Sequence, residues 1–268
     1  MSQNTVEKIN NTVKYLKSHH NKGFMELLRC NFTDQRLKSI KSQYYGNPYE
    51  VNYNTDNFPL IIKQNSGFGG EGVYCATGIY ELQDYINKSS KVIFNTTIKA
   101  YIVEQIKNKL KAIVGIFDSK YIGRITENTV RPFIIQNYIE GLDGDYKVLY
   151  FGGKYYTLYR KNREGDFRAS GGGRLFEVPI EEITPLLNFA EKVVNEINYP
   201  IIGMDICFDG SEYHLIEFQM IHLGPYTLQK SESYFIRNDT TWTCIHEKSD
   251  LEIEYVRSIV EFIGKKFK

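Results

Sequence analysis

Cysteine is scarce and scattered in this chain of 268 residues: Cys30, Cys75, Cys207 and Cys244 lie far apart, with no CxxC pair. That spacing argues against a zinc site and against a disulfide framework. An excess of either charge is also missing, since 33 Lys and Arg face 32 Asp and Glu, for a formal net charge of +1. No global field draws the chain toward nucleic acid or an anionic membrane, and neither is expected as a partner. No apolar run approaches the ~18 residues of a membrane helix and no apolar leader follows Met1, so a soluble, cytoplasmic protein is expected. The glycine-rich loop at 66–72 lacks the GK[ST] of a Walker loop, and it does not open a helix as GxGxxG would. With a mass of 31.2 kDa, the chain can bury a sizeable core as one large or two to three small domains.

What is present is organised around residues 203–219, GMDICFDGSEYHLIEFQ. Ile202, Met204, Ile206 and Phe208 alternate with Gly203, Asp205 and Cys207. Asp209-Gly210 signals a hairpin turn, and His214, Leu215 and Ile216 resume the extended run. Each predicted strand carries an acid, Asp205 on the first and Glu217 on the second, and an unpaired buried carboxylate is costly. Gln219 shares a face with Glu217. Three oxygen donors from adjacent strands suit a hard divalent ion such as Mg2+. Pairing of the two acids with Arg or Lys is the alternative.

Elsewhere, Val6, Ile9, Val13 and Leu16 predict a helix over 5–18, and a second short helix covers 22–30. The stretch through Asn57 reads as loop. FPLIIKQ, 58–64, is a strand with Lys63 inside it, and SGFGGEGVY follows at once. Ser66, Gly67, Gly69, Gly70 and Gly72 allow backbone N–H groups to approach an anion closely, and a buried Lys63 ammonium wants such an anion. A flexible turn is the other reading. A short helix at 79–87 and a strand at 99–106 come next, while 107–131 has no clear pattern. RPFIIQNYIEG, 131–141, is an apolar strand entering a polar turn. GDYKVLYFGGKYYTLYRKN, 144–162, is a hairpin turning at Gly152-Gly153. Arg160, Lys161, Arg163, Arg168 and Arg174 then surround a second glycine run, either as a solvated loop or as a site for phosphate and carboxylate groups. Ile183, Leu186, Leu187, Ala190, Val193, Val194 and Ile197 predict a helix over 180–197, with Pro185 in its first turn. A capping box of Ser249 and Glu252 opens a last helix, expected to bury Ile253, Val256, Val260 and Ile263.

This order of pieces resembles the ATP-grasp superfamily, especially the branch of glutathione synthetase and the ribosomal-protein glutamate ligases. The resemblance covers 58–219 and is most specific in DYKVLYFGGKYYTLYRKNREGDFRASGGG and GMDICFDGSEYHLIEFQ. It implies an α+β fold whose two antiparallel-sheet lobes hold ATP between them. The divisions expected are a reduced helical region at 1–57, a small lobe at 58–132 with an extended insertion, and a large lobe at 133–268 with a C-terminal helix. By resemblance, Lys63 meets the nucleotide phosphates, and the loop containing Ser66, Gly67, Gly69 and Gly70 covers them. Gln136, Asn137, Tyr138 and Ile139 form the adenine hinge, with Asn137 where the family usually has Glu. Asp145 helps bind the ribose or the acceptor. Arg160 lies near the transferred phosphate, and Arg168 holds the phosphorylated carboxylate. Asp205, Glu217 and Gln219 fall on the metal triad, with Gln219 where the family normally has Asn. Lys22 resembles an earlier Lys that touches ATP; a surface Lys on a short helix is the alternative.

The chemistry implied is carboxylate activation: ATP and Mg2+, or Mn2+ in its place, convert a carboxylate to an acyl phosphate, and an amine then displaces phosphate to form an amide. The expected substrates are small-molecule or peptide carboxylates and amines, with polysaccharide or peptide modification as the setting. Because some 60 residues precede the Lys63 strand, where family members have a larger domain, substrate choice is expected to depend on a reduced site or on a second copy or partner protein that compensates for it. A kinase acting on a hydroxyl and a non-catalytic ATP-binding module are the alternatives.

Overall fold

The computed structural model describes residues 22–65, 70–91, 106, 131–169, 174–220 and 223–266. Outside them lie the helix expected at 5–18, the strand expected at 99–106 apart from Ile106, the segment 107–130, Ser66, Gly67, Gly69 and residues 171–173. Ile106 itself is helical. The elements run α1 (Lys22–Cys30), β1 (Ser42–Tyr45), β2 (Leu60–Gln64), β3 (Val73–Ala76), α2 (Ile79–Ser90), β4 (Phe133–Asn137), β5 (Gly144–Phe151), β6 (Lys154–Lys161), β7 (Leu175–Phe176), α3 (Ile180–Ile197), β8 (Ile201–Phe208), β9 (Tyr213–Met220), α4 (Tyr226–Lys230), β10 (Tyr234–Asn238), β11 (Thr241–Ile245) and α5 (Leu251–Lys266). Short 3-10 turns occupy Gln35–Lys38 and Pro48–Glu50. The chain divides into two compact units, one of Ser42–Gly67 and Gly72–Tyr138, the other of Met1–Lys41, Phe68–Glu71 and Ile139–Lys268.

The smaller unit is a four-stranded antiparallel sheet in the order β1-β4-β2-β3. Leu82 and Ile86, one helical turn apart on α2, bury themselves against Leu60, Ile62, Phe133 and Ile135. Strand β1 corrects the expectation of loop through Asn57. Its four residues, SQYY, are too few and too polar to show a period-2 pattern, yet Ser42 to Tyr45 pair with Gln136 to Phe133 along the sheet edge. Between β2 and β3, Gly70 and Gly72 take φ of +82° and +67°, and the Gln64 N–H donates to the Gly72 carbonyl at 2.8 Å. A Cβ on Gly72 would lie 2.4 Å from Gln64 Oε1, so the turn is built for glycine.

The larger unit holds a seven-stranded sheet in the order β11-β10-β6-β5-β8-β9, with β7 beside β6. The β5–β6 hairpin turns at Gly152 and Gly153, both at positive φ, in keeping with its sequence. Alternation divides the sheet cleanly. Tyr146, Val148, Ile202, Met204, Ile206, Phe218 and Met220 join one core with the apolar stripe of α3 and with Met25 of α1. Leu149, Phe151, Tyr156 and Ile201 face a second core with Leu228, against which Leu251, Tyr255 and Ile259 of α5 pack. Helix α3 spans the expected residues and stops at Asn198, whose φ of +49° is a left-handed cap. Pro185 sits inside the helix as its sixth residue, beyond the first turn.

Two local irregularities matter. On β9, Asp205 pairs with Glu217 but Ile206 pairs with Leu215, so Ile216 is an extra residue forming a β-bulge. Helix α5 presents a different face from the one expected. Ile253, Val256 and Val260 are 64%, 63% and 61% exposed, while Glu254 and Ser258 are buried. A second stripe, offset in the sequence, takes the inner face because its polar members are satisfied there: Glu254 pairs with Lys154 and Arg257, each at 2.6 Å, and Arg257 donates to the Phe151 and Gly152 carbonyls. The helix is capped by Asp250, whose Oδ1 accepts from the Ile253 N–H at 2.9 Å, and not by Ser249, whose hydroxyl accepts from Tyr156.

Candidate functional site

The alternation that sends Tyr146 and Val148 to one side of β5 sends Asp145 and Lys147 to the other. Neighbouring strands set charged residues beside them in register: Arg160 of β6 opposite Asp145, Asp205 of β8 opposite Lys147, and Glu217 of β9 opposite Asp205. The first two are cross-strand pairs of opposite charge, which attract, and their contacts are tight. Arg160 grips Asp145 with two bonds, from Nε to Oδ1 and from Nη2 to Oδ2, both 2.6 Å. Its Nη2 also lies 2.9 Å from Asp205 Oδ2, and its Nη1 donates to the Tyr226 hydroxyl at 3.0 Å. Lys147 Nζ donates to Asp205 Oδ1 at 2.6 Å. Gln219 Nε2 donates to Glu217 Oε1 at 2.8 Å, and Lys22 Nζ stands 3.4 Å from Glu217 Oε2.

Lys22 is brought there by its helix. Lys22, Glu26 and Arg29 recur at helical spacing on α1; Arg29 pairs with Glu26 and donates to the Leu215 carbonyl of β9 at 2.9 Å. The Lys22 ammonium is largely buried, unlike a solvated surface lysine.

The two acids on Arg160 respond in opposite directions. Burial pushes the Asp145 carboxyl up, opposed by Arg160. Burial also acts on Asp205, but the charges of Arg160 and Lys147 outweigh it and hold that carboxyl well below the usual carboxylate range. Three carboxylates, Asp145, Asp205 and Glu217, thus face three cations, Lys22, Lys147 and Arg160.

Gly144 makes room for this arrangement. A Cβ there would lie 2.3 Å from the Arg160 carbonyl oxygen and 2.4 Å from the Tyr159 hydroxyl. Neither the paired backbone nor the ring can retreat cheaply, so Gly144→Ala is expected to lower stability by about 1–3 kcal/mol, the usual range for an overfilled interior. Urea denaturation checks this, and a wild-type midpoint would show that β5 relaxes freely.

The remaining expected residues lie elsewhere. Arg168 is held by Asp166, with Nη2 2.6 Å from Oδ2, and its Nη1 donates to the Gly70 carbonyl at 3.0 Å. In the smaller unit, Lys63 is buried in β2 opposite Val73 and Ile134, and Gln136 is buried in β4. Asn137 is exposed, Tyr138 is half-buried, and Ile139 belongs to the larger unit. Cys207 is buried, and His214 bridges Asp209 and Ser39 through its two ring nitrogens, each at 2.7 Å.

Sequence reading passed over Lys147 and Tyr226. Lys147 had a signal: it stands two residues after Asp145, on the same face of a strand that must pair with an acidic one. Tyr226 had none, because it reaches Arg160 only through the placement of α4.

The expected metal triad does not stand as an open donor set. Both Asp205 oxygens are engaged by cations, and Glu217 Oε1 accepts from the Gln219 amide. Among the described residues no group of three or more His, Cys, Asp or Glu could hold a metal ion. A nucleotide fits better, on the chemistry of the donors: the buried Lys63 ammonium is suited to phosphates. Among the described residues no helix is long and apolar enough to cross a membrane.

No family model matches the sequence. No curated protein matches it. Solved structures do. D-alanine–D-alanine ligase from Bacillus anthracis, complexed with ATP, matches with a TM-score of 0.53 and 13% identity, over 92% of this chain and 68% of that one. D-cycloserine synthetase matches with a TM-score of 0.51 and 10% identity, over 92% of this chain and 71% of that one. L-amino acid ligase from Bacillus licheniformis matches less closely, at 0.49 and 13%, and the chain spans only 45% of its length. At these identities the likeness is one of architecture, and the chain has the α+β ATP-grasp fold with two antiparallel-sheet units.

Proposed function

We propose that the chain is an ATP-dependent carboxylate–amine ligase, related in its chemistry to the glutathione synthetase and ribosomal-protein glutamate ligase branch. The observation that carries the reading is the charged face of the larger sheet, where Lys22, Asp145, Lys147, Arg160, Asp205 and Glu217 lie in one chain of contacts. Buried ion pairs add little stability over apolar residues of the same size, so a network of this extent on an ATP-grasp sheet points to use in binding and chemistry. The substrates are a carboxylate and an amine of small molecules or peptides, in polysaccharide or peptide modification within the cytoplasm.

ATP supplies the phosphoryl group that activates the carboxylate. Lys63 holds the phosphates, the loop bearing Ser66, Gly67, Gly69 and Gly70 lines them with backbone N–H groups, and Gln136, Asn137, Tyr138 and Ile139 meet the base. Asp145 keeps Arg160 charged and oriented, and Arg168 offers its planar fork to the activated carboxylate. A carboxylate oxygen bonds to the terminal phosphorus as ADP leaves; the amine nitrogen then bonds to the acyl carbon as phosphate leaves, giving the amide. Engagement of Arg160 by Asp145, Asp205 and Tyr226 favours a second reading, nucleotide binding without turnover.

Turnover decides between them. With ADP and free phosphate measured separately across pools of amino acids, sugar acids and amines, a ligase releases both only when a carboxylate and an amine are present, and Glu217→Ala loses the response. ADP without phosphate would indicate a kinase. ATP that raises the melting temperature without any turnover would favour the binding module.

A further inference from the structure

Asp205 is the acid that the resemblance assigns to a divalent ion, and both of its oxygens already meet cations. Lys147 Nζ is 2.6 Å from Oδ1, and Arg160 Nη2 is 2.9 Å from Oδ2. Neither cation is an adaptable surface chain. Lys147 is the direct cross-strand partner of Asp205 and is buried; Arg160 is 4% exposed and locked by two bonds to Asp145 and one to Tyr226. For an ion to bind Asp205, one of them would have to be displaced, leaving a buried cation without its counter-charge. The replacement would also need near-octahedral oxygen ligation at about 2.0–2.1 Å if it were Mg2+. Glu217 is engaged as well: its Oε1 accepts from the Gln219 amide at 2.8 Å, and its Oε2 lies 3.4 Å from Lys22 Nζ.

We infer that Lys147 is the built-in cation of this site: with Arg160 it neutralises Asp205, which does not ligate a divalent ion. The inference rests on the ligase reading only for the expectation that a divalent ion accompanies the nucleotide. Lys147 is accordingly a positioning residue that fixes a carboxylate by charge.

Mn2+ alone is the probe, its free concentration followed by electron paramagnetic resonance in titrations of wild type, Asp205→Asn, Glu217→Gln and Lys147→Met, with circular dichroism melting as a check on folding. Asp205→Asn should change Mn2+ affinity less than threefold, or leave it undetectable where wild type shows none. Lys147→Met should raise affinity at least tenfold, because it releases an Asp205 oxygen beside Glu217, and Glu217→Gln should abolish that gain when combined with it. A loss of threefold or more in Asp205→Asn would overturn the inference, as would a folded Lys147→Met that gains nothing. If Lys147→Met fails to fold, Lys147→Gln takes its place, with a gain of at least threefold expected and no gain counting against the inference. The same samples are melted with a non-hydrolysable ATP analogue; a missing nucleotide shift counts against the ligase reading and leaves the Mn2+ comparison standing.

Discussion

Arg160→Met is expected to destabilise the larger unit by about 3–5 kcal/mol, the range for removing one partner from a buried ionic network. Two carboxylates, Asp145 and Asp205, share that guanidinium, so its loss leaves like charges close together in a poorly solvated place. The deficit should also depend on pH, with a sign that follows from the two acids. In the wild type Asp205 is held low, so its contribution is present above the unfolded carboxylate value of about 3.9 and is lost as pH falls through the lower folded value. Burial already lifts Asp145 against the pull of Arg160, and without that pull only the charge of Lys147 opposes the lift. A carboxyl raised in the folded state stabilises below its unfolded value and loses that contribution as pH rises through its folded one. Urea denaturation at pH 5 and pH 7.5 should therefore show a larger gap between variant and wild type at the higher pH. A gap that is the same at both would mean that the acids do not sense Arg160.

Lys63→Met is expected to weaken ATP binding by about 10- to 100-fold, with little change in the rest of the fold. A charge-assisted hydrogen bond contributes about 1.5–3 kcal/mol, and each 1.4 kcal/mol is tenfold in affinity. Lys63→Arg should restore little, since a planar fork does not replace a compact ammonium inside a strand whose neighbours, Ile62 and Ile134, are fully buried. Calorimetric titration with ATP measures the loss, and melting of the nucleotide-free variant separates it from misfolding. Undiminished binding would move the nucleotide away from β2 altogether.

The parts of the fold that could be read from the sequence are those in which one pattern dominates. The β5–β6 hairpin has eight residues on each side of a Gly-Gly turn, and α3 has an apolar stripe without a rival. Where two patterns compete, sequence alone does not choose. Helix α5 carries Ile253, Val256 and Val260 on one stripe and Leu251, Tyr255 and Ile259 on another; the choice falls to Glu254 and Arg257, whose partners come from β6 and from the β5–β6 turn. The site was legible in its acids and in Arg160, because charges inside apolar strands stand out. It was not legible in its charge balance. Whether Asp205 meets a metal ion or an ammonium depends on which strand lies beside β8, and adjacency of β5 to β8 is a property of the sheet order.

The extra residue at Ile216 makes β9 a strand with two reading frames. From Tyr213 to Leu215 the odd-numbered side chains belong to the apolar core; from Glu217 to Met220 the even-numbered ones do. The tip is a closed turn in which Asp209 Oδ1 accepts from the Ser211 and Glu212 N–H groups, each at 2.8 Å. Deleting one residue at the frame change would force a choice, sending either Leu215 onto the charged face or Glu217 and Gln219 into the core. A homologous sequence with the same residues but one fewer between its two acids would therefore present a different surface to its substrate.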